Sequence, residues 1–343
     1  MNARRLLGLL LAVAALSSCS DGAEDRPMAT SPTAATTSAS PRPTPSPTPG
    51  IPAAELQSAL TRFVAIRNRA AAKYDDTLIR TVAAGPLLEQ ELADHKINRI
   101  LKRKIPSLSL VNATGSVTPS GTWPQRLVVA ADVKGKTDAR IAGLAQRTAA
   151  GAPWVWTYLA NLGGETVSQY MTWPPMPTGG NLRTPTRAEL GRLAMAPAAA
   201  VQQLARDLST QTQSLLFEGF RLTGSADEYQ DELVSQAATM TPDKRPGTWA
   251  FGYGPAVALQ TSLAGRIMVF ATISMTWRYP VEPGTQAHWP PGPQLALAAK
   301  GRWYSTSLLD FEQLQVVLVM PPKGRGDIDV IGISRQRTGV GGV

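Results

Sequence analysis

Apolar residues recur at helical spacing in AAELQSALTRFVAIRNRAAAKY, residues 53–74, where Leu56, Leu60, Phe63, Val64 and Ile66 fall along one stripe. That spacing predicts an amphipathic helix. A second helix is expected over Pro86–Lys102, opening just after Gly85. Past Pro106 the period changes. The short runs SLSLVNATGSV, PQRLVVAADVKG, RIAGLAQRT and PWVWTYLANL are rich in β-formers. Turn residues such as Pro119-Ser120-Gly121 and Gly135 separate them, so they read as strands.

The order repeats in the second half. PAAAVQQLARDLSTQTQSLLFEG and SADEYQDELVSQAATM predict helices, the latter opened by a Ser225 cap with Glu228 three positions on. AVALQTS, RIMVFATISMTWRYPV, QLALAAKG, LQVVLVMPP and DIDVIGISR predict strands, with Leu263-Ala264-Gly265 joining the first two as a hairpin. Helices followed by antiparallel strands, twice over, specify an α+β fold: two tandem domains, each with helices packed on a curved antiparallel sheet. Size agrees, since residues 51–343 exceed what one core usually supports. The composition break WPPMPTGGNLRTPT, Trp173–Thr186, sets the boundary. It gives a first domain over 51–175, a hinge over 176–186 and a second domain over 187–343.

The first fifty residues follow neither period. Arg4 and Arg5 precede an apolar run of eleven residues, Leu6–Leu16. A bilayer-spanning helix needs about 20, so this run is too short to serve as one. Small residues, Ser17 and Ser18, follow it, and the whole has the layout of a secretory signal peptide over 1–18. The next residue, Cys19, is the only cysteine in the chain. Leu16-Ser17-Ser18-Cys19 resembles the bacterial lipobox. That resemblance implies cleavage between Ser18 and Cys19 and a lipid on the Cys19 thiol, whose sulfur is nucleophilic enough to accept it. One acyl chain binds a membrane reversibly; two or three on one residue hold it there. Residues 19–50 are then the lipidated cysteine and a disordered Pro/Ser/Thr-rich tether. No Leu, Ile, Val or aromatic residue occurs in 20–50 to offset the entropy of ordering. At about 3.1 Å per residue this tether reaches at most roughly 95 Å. The expected location is the outer face of the cell membrane, exported and lipid-anchored.

Charge narrows the partners. Residues 51–343 keep 30 of the 34 basic residues and 22 of the 25 acidic ones, because Arg4, Arg5, Arg26, Arg42, Asp21, Glu24 and Asp25 precede them. The excess favours anionic headgroups or wall polymers. An extracytoplasmic address, and the lack of an Arg-rich helix with interleaved aromatics, argue against nucleic acid. One basic cluster stands out, HKINRILKRK over His95–Lys104. It reads as a solvated helix end or as a membrane-surface or polymer contact. With Cys19 lipidated, the body has no thiol for a disulfide, a nucleophile or a metal site.

Several stretches together resemble a group of uncharacterised lipoproteins from high-GC Gram-positive bacteria. They are the lipobox, the Pro/Thr tether, YDDTLIRTVAAGPLLEQ at Tyr74–Gln90, Pro153-Trp154 and PPKGRGDIDVIGIS at Pro321–Ser334. The element order resembles the nuclear-transport-factor-2-like (NTF2-like) or cystatin-like cone, present twice. The resemblance implies an address and a fold, and no activity.

Candidate chemistry is sparse. His95, one turn after Glu91, and His288, in a Pro/Trp loop, read as surface residues. No HExxH or three-ligand metal pattern occurs, no Gly-x-Ser-x-Gly elbow and no phosphate loop. Hence no metal or cofactor is expected and no catalytic residue is assigned. Trp154, Trp156 and Tyr158 alternate along one strand and so share a face, as do Trp277 and Tyr279. Each row reads as core filling or as the aromatic wall of a ligand pocket. The leading function is a non-catalytic binding or scaffolding role in the cell envelope. Its partners are the membrane, through the lipid on Cys19, and an envelope protein, lipid or wall polymer. The alternative is a pocket enzyme of NTF2-like type acting on an envelope metabolite. Tyr74, Asp75, Asp76 and Asp132 would supply its acid/base pair, or else serve as helix-end caps and a sheet-surface aspartate.

Overall fold

The structure, a computed structural model, describes residues 51–136, 139–162, 182–209, 219–239, 247–260, 265–298 and 302–343. The signal peptide, the Ser18–Cys19 junction, the tether and most of the hinge lie outside the described residues.

Three helices come first: α1 (Ala53–Lys73), α2 (Asp76–Ile79) and α3 (Gly85–Leu101). Four strands follow, β1 (Leu110–Val117), β2 (Gln125–Val133), β3 (Arg140–Arg147) and β4 (Val155–Asn161), forming an antiparallel meander in chain order. The second half runs α4 (Arg187–Leu190), α5 (Pro197–Leu208), β5 (Phe220–Leu222), α6 (Ser225–Thr239), β6 (Thr248–Gln260), β7 (Ile267–Pro280), α7 (Pro293–Leu297), β8 (Ser307–Met320) and β9 (Ile328–Gly342). Its sheet has the order β5-β9-β8-β7-β6, antiparallel except for the β5–β9 pair. The fold is therefore α+β with two largely antiparallel sheets.

The apolar stripe of α1 does what its spacing requires. Leu56, Leu60 and Phe63 pack with Ile79, Leu127, Val129 and Trp156 into the core of the first half. In the second half, Val201, Leu204 and Leu208 of α5 and Leu233 of α6 cover Val269, Ile273, Leu314 and Val316. Each large apolar side chain buried this way contributes about 1.5–3 kcal/mol. A third core lies between the sheets: Val128, Ala142, Leu144, Tyr158 and Leu162 meet Leu259, Met268, Phe270, Val317 and Ile331. The central strands are thus covered on both faces. This explains why Leu127–Ala131 and Ile267–Ile273 are near-continuous apolar runs rather than alternating ones. The described residues, from 51 to 343, form one compact unit.

Helix α3 adds a polar clasp across this layer. Gln90 Nε2 donates to the carbonyl of Gln313 at 3.0 Å, and Gln315 Nε2 donates to Gln90 Oε1 at 2.7 Å. Gln315 Oε1 in turn accepts from the Leu159 amide at 2.7 Å. Buried amides are tolerated because their hydrogen-bonding groups find partners of this kind.

Some local expectations fail for identifiable reasons. QLALAAKG does not form a strand: Gly292 and Pro293 open the short helix α7 there. Strand β6 begins at Thr248, earlier than its apolar run, because Gly252, Gly254 and Pro255 disguise its first half. The β5–β9 pair is parallel where only antiparallel pairing was expected. Ser225 is the first residue of α6 rather than its cap. Its hydroxyl donates to the carbonyl of Asn161 at 2.5 Å and accepts from the Ile333 amide at 2.9 Å, tying β4 to β9.

Candidate functional site

Aromatic side chains organise both sheets. Trp156 on β4 is fully buried and stacks on Phe63 at 4.7 Å and 27°. Its ring occupies the space above Gly143, where an added Cβ would stand 2.4 Å from Trp156 Cζ3. Trp154 joins the same core; its indole N–H donates to Glu55 Oε1 at 3.3 Å, and the Arg147 guanidinium lies 4.5 Å over its ring. Tyr158 points the other way, into the layer between the sheets beside Phe270. The expected single face for all three is therefore corrected. Trp156 opposes Ala145 and Tyr158 opposes Leu144, so Thr157 is an extra residue and the alternation reverses across it. Trp277 and Tyr279 do share a face, with near-parallel rings 6.4 Å apart. Trp249 meets Trp277 edge-on at 5.0 Å, and Trp289 meets Tyr279 at 6.0 Å.

Register places charge beside this second row. Asp310 on β8 opposes Trp277, Glu312 opposes Met275, and Arg337 on β9 opposes Glu312. Asp310 is 0% exposed, and both its carboxylate oxygens accept from Arg337 Nε, at 2.7 and 2.8 Å. Glu312, 6% exposed, is held more loosely. Oε1 lies 3.4 Å from an Arg337 terminal nitrogen and Oε2 lies 3.7 Å from Arg335 Nε, where it accepts no hydrogen bond. Arg335 also donates to Glu232 Oε1 on α6 at 2.8 Å. Burial pushes the carboxyls of Asp310 and Glu312 above their usual range, against the opposing pull of the arginines. Burial likewise raises the phenol of Tyr229, whose hydroxyl sits 3.3 Å from Met275 Sδ. This is an ion lock joining β8, β9 and α6, in which the carboxyls of Asp310 and Glu312 are protonated more readily than free ones. The available sequence signal was the alternation Asp310-Phe311-Glu312 and Arg335-Gln336-Arg337, i,i+2 charges of opposite sign on adjacent strands that meet at the Glu312–Arg337 pair.

The acid/base candidates of the first half hold separate posts. Tyr74 caps α1 in the left-handed region, φ 52°, and its hydroxyl donates to the carbonyl of Arg103 at 2.5 Å. Asp75 caps α2, accepting from the amides of Thr77 and Leu78. Asp76 is 2.9 Å from His95 Nδ1 and accepts from Arg99 at 3.2 Å. Asp132 accepts from Asn112 Nδ2 at 2.9 Å and lies 3.5 Å from Arg140. His95 itself departs from its expected surface position and is fully buried. The stripe of α3 that carries it faces α2 rather than solvent, and a buried imidazole needs the partner that Asp76 supplies. His288 is exposed, with Nδ1 2.9 Å from the carbonyl of Trp289.

Two open clefts flank α1, each of about 230 Å³. One lies between Gln57, Leu60, Thr61 and Val64 of α1 and residues 109–113 at the start of β1, an edge strand. The other is bounded by Glu55, Arg62, Arg147 and Trp154. Their walls mix apolar and hydrogen-bonding groups, the composition of a small-molecule cleft.

Residues 47–342 match a family described as a domain of unknown function (DUF8094). Comparison with curated proteins and with solved structures brings no match.

Proposed function

We propose, for a chain that belongs to the DUF8094 family, an exported lipoprotein with a non-catalytic binding or scaffolding role in the cell envelope. Support for the anchor comes from the charged start, the apolar run and Leu16-Ser17-Ser18-Cys19. Each half is read as an NTF2-like or cystatin-like layer, with helices laid across a sheet. One observation carries binding over catalysis. Tyr74, Asp75, Asp76 and Asp132, the residues offered for acid/base work, are engaged as caps and ion-pair partners, while α1 presents open clefts.

Replacing Cys19 by alanine is expected to abolish labelling by radioactive palmitate and to release the protein from the membrane fraction. A variant that stays membrane-bound, or a parent that takes up no label, would remove the anchor. For the binding role, Thr61→Trp fills the α1–β1 cleft from an exposed position. The expected result is at least a tenfold loss of the envelope component that the parent retains in pull-downs, on the scale of a lost anchor pocket. Asp132→Asn should retain it. Loss with Asp132→Asn and retention with Thr61→Trp would favour the enzymatic alternative.

A further inference from the structure

The cluster that most sets one end of the molecule apart lies where α1 and α3 terminate. Arg99 donates to the carbonyl of Tyr74 at 2.6 Å, and the Tyr74 hydroxyl donates to the carbonyl of Arg103, so the two helix ends are bound together. Lys73 closes α1, and Lys102 caps α3 in the left-handed region. Arg103 and Lys104 continue beyond it, exposed. Among the described residues, Lys73, Lys102, Arg103 and Lys104 have no acidic partner. Arg99, in the same cluster, pairs with Asp76.

Apolar surface accompanies these cations. Lys96 Nζ donates to the carbonyl of Leu297 at 3.0 Å, fixing α7 against α3. One turn past Lys96, Ile100 is 54% exposed, and Leu295 on α7 is 41% exposed. The carbonyl ends of two helices account for a lysine at each. They do not account for Arg103 and Lys104 beyond the helix end, nor for two exposed aliphatic side chains. Basic residues and exposed aliphatics carried on one helix end and the short helix held against it are the composition of a surface that lies in a lipid headgroup layer.

We propose that this end of the molecule docks on an anionic lipid bilayer. Charge complementarity selects an anionic surface, and Ile100 with Leu295 selects a bilayer over a soluble polyanion, which has no acyl boundary to receive them. Each basic residue held near such a surface strengthens binding roughly fivefold. Helix α1 is about 30 Å long, shorter than the reach of residues 20–50 estimated above, so an anchor at Cys19 is compatible with this docking. The inference deepens the membrane-anchored reading, but its test does not depend on that reading.

The full chain with Cys19→Ala, which carries no lipid, is titrated against vesicles of phosphatidylcholine with and without about 30 mol % phosphatidylglycerol. Neutral vesicles report the contribution of the apolar leader, common to every variant. The parent should bind anionic vesicles at least tenfold more tightly than neutral ones. Lys102→Glu with Arg103→Glu and Lys104→Glu should erase that preference. Ile100→Ser with Leu295→Ser should weaken anionic-vesicle binding about three- to tenfold. Unchanged thermal melting of both variants shows that they fold. Charge variants that bind like the parent overturn the proposal. So does soluble polyphosphate bound as tightly as vesicles with no effect of the Ile100/Leu295 pair, which assigns the surface to a polymer.

Discussion

Replacing Trp156 by alanine is expected to lower the unfolding free energy by about 3–5 kcal/mol, the range for deleting a buried tryptophan. The size follows from its surroundings. The indole is stacked on Phe63, enclosed by Ile79, Leu127 and Val129, and seated on the bare backbone of Gly143. The space it leaves is walled by strand backbone and by the long helix α1, neither of which can close readily over it. Urea denaturation monitored by circular dichroism measures the loss directly. The experiment also separates the two roles that sequence left open for this residue. A core residue loses stability on truncation; a pocket wall loses ligand and leaves the midpoint within about 0.5 kcal/mol, as surface changes do. The second outcome would remove Trp156 from the core.

Sequence patterns carried the first half further than the second. Helices α1 and α3 start and stop almost where periodicity put them, because Pro86 and a clean apolar stripe mark them. The four strands of the meander also fall within the runs read as strands. What failed there was parity, since nothing in Trp156-Thr157-Tyr158 announces a bulge; the slip is set by the strand opposite. In the second half, β8 and β9 extend well beyond the runs read as strands, into Leu308–Gln313 and Gln336–Gly342. Those extensions carry Asp310, Glu312 and Arg337 of the ion lock, and charged strand residues read as loop until their partners are known. The same ignorance of partners put His95 on the surface. Its burial depends on α2, a single turn whose packing against α3 no local pattern reveals.

Removing Arg337 is the second large effect expected. Arg337→Ala leaves the fully buried Asp310 carboxylate without the guanidinium that serves both its oxygens. Breaking a buried pair from one side costs about 3–5 kcal/mol, because the remaining charge keeps its desolvation penalty. The pH dependence tests the cause. The folded-state pKa of Asp310 already lies above its ordinary 3.8 because burial outweighs Arg337, and loss of Arg337 lifts it further. A raised carboxyl favours the protonated fold. The penalty is absent below the unfolded pKa and grows as pH rises through the folded one. The gap between Arg337→Ala and parent should therefore be widest at pH 7 and narrow steadily towards pH 4. Adding Asp310→Asn to the variant should recover most of the loss at pH 7. A gap that is the same at both ends, or no recovery with asparagine, would show that packing of the Arg337 stem, not charge, is responsible.

The strand order has a consequence for assembly. Strand β5 has a single neighbour, β9, which follows β6, β7 and β8 in sequence and inserts between β5 and β8. A polypeptide made from its amino end thus delivers β5 long before the strand that must receive it. The β5 edge cannot pair until Ile328–Val330 have emerged, and Phe220–Leu222 wait for them in the meantime. Completion of this layer is consequently timed by the arrival of β9 rather than by that of β5.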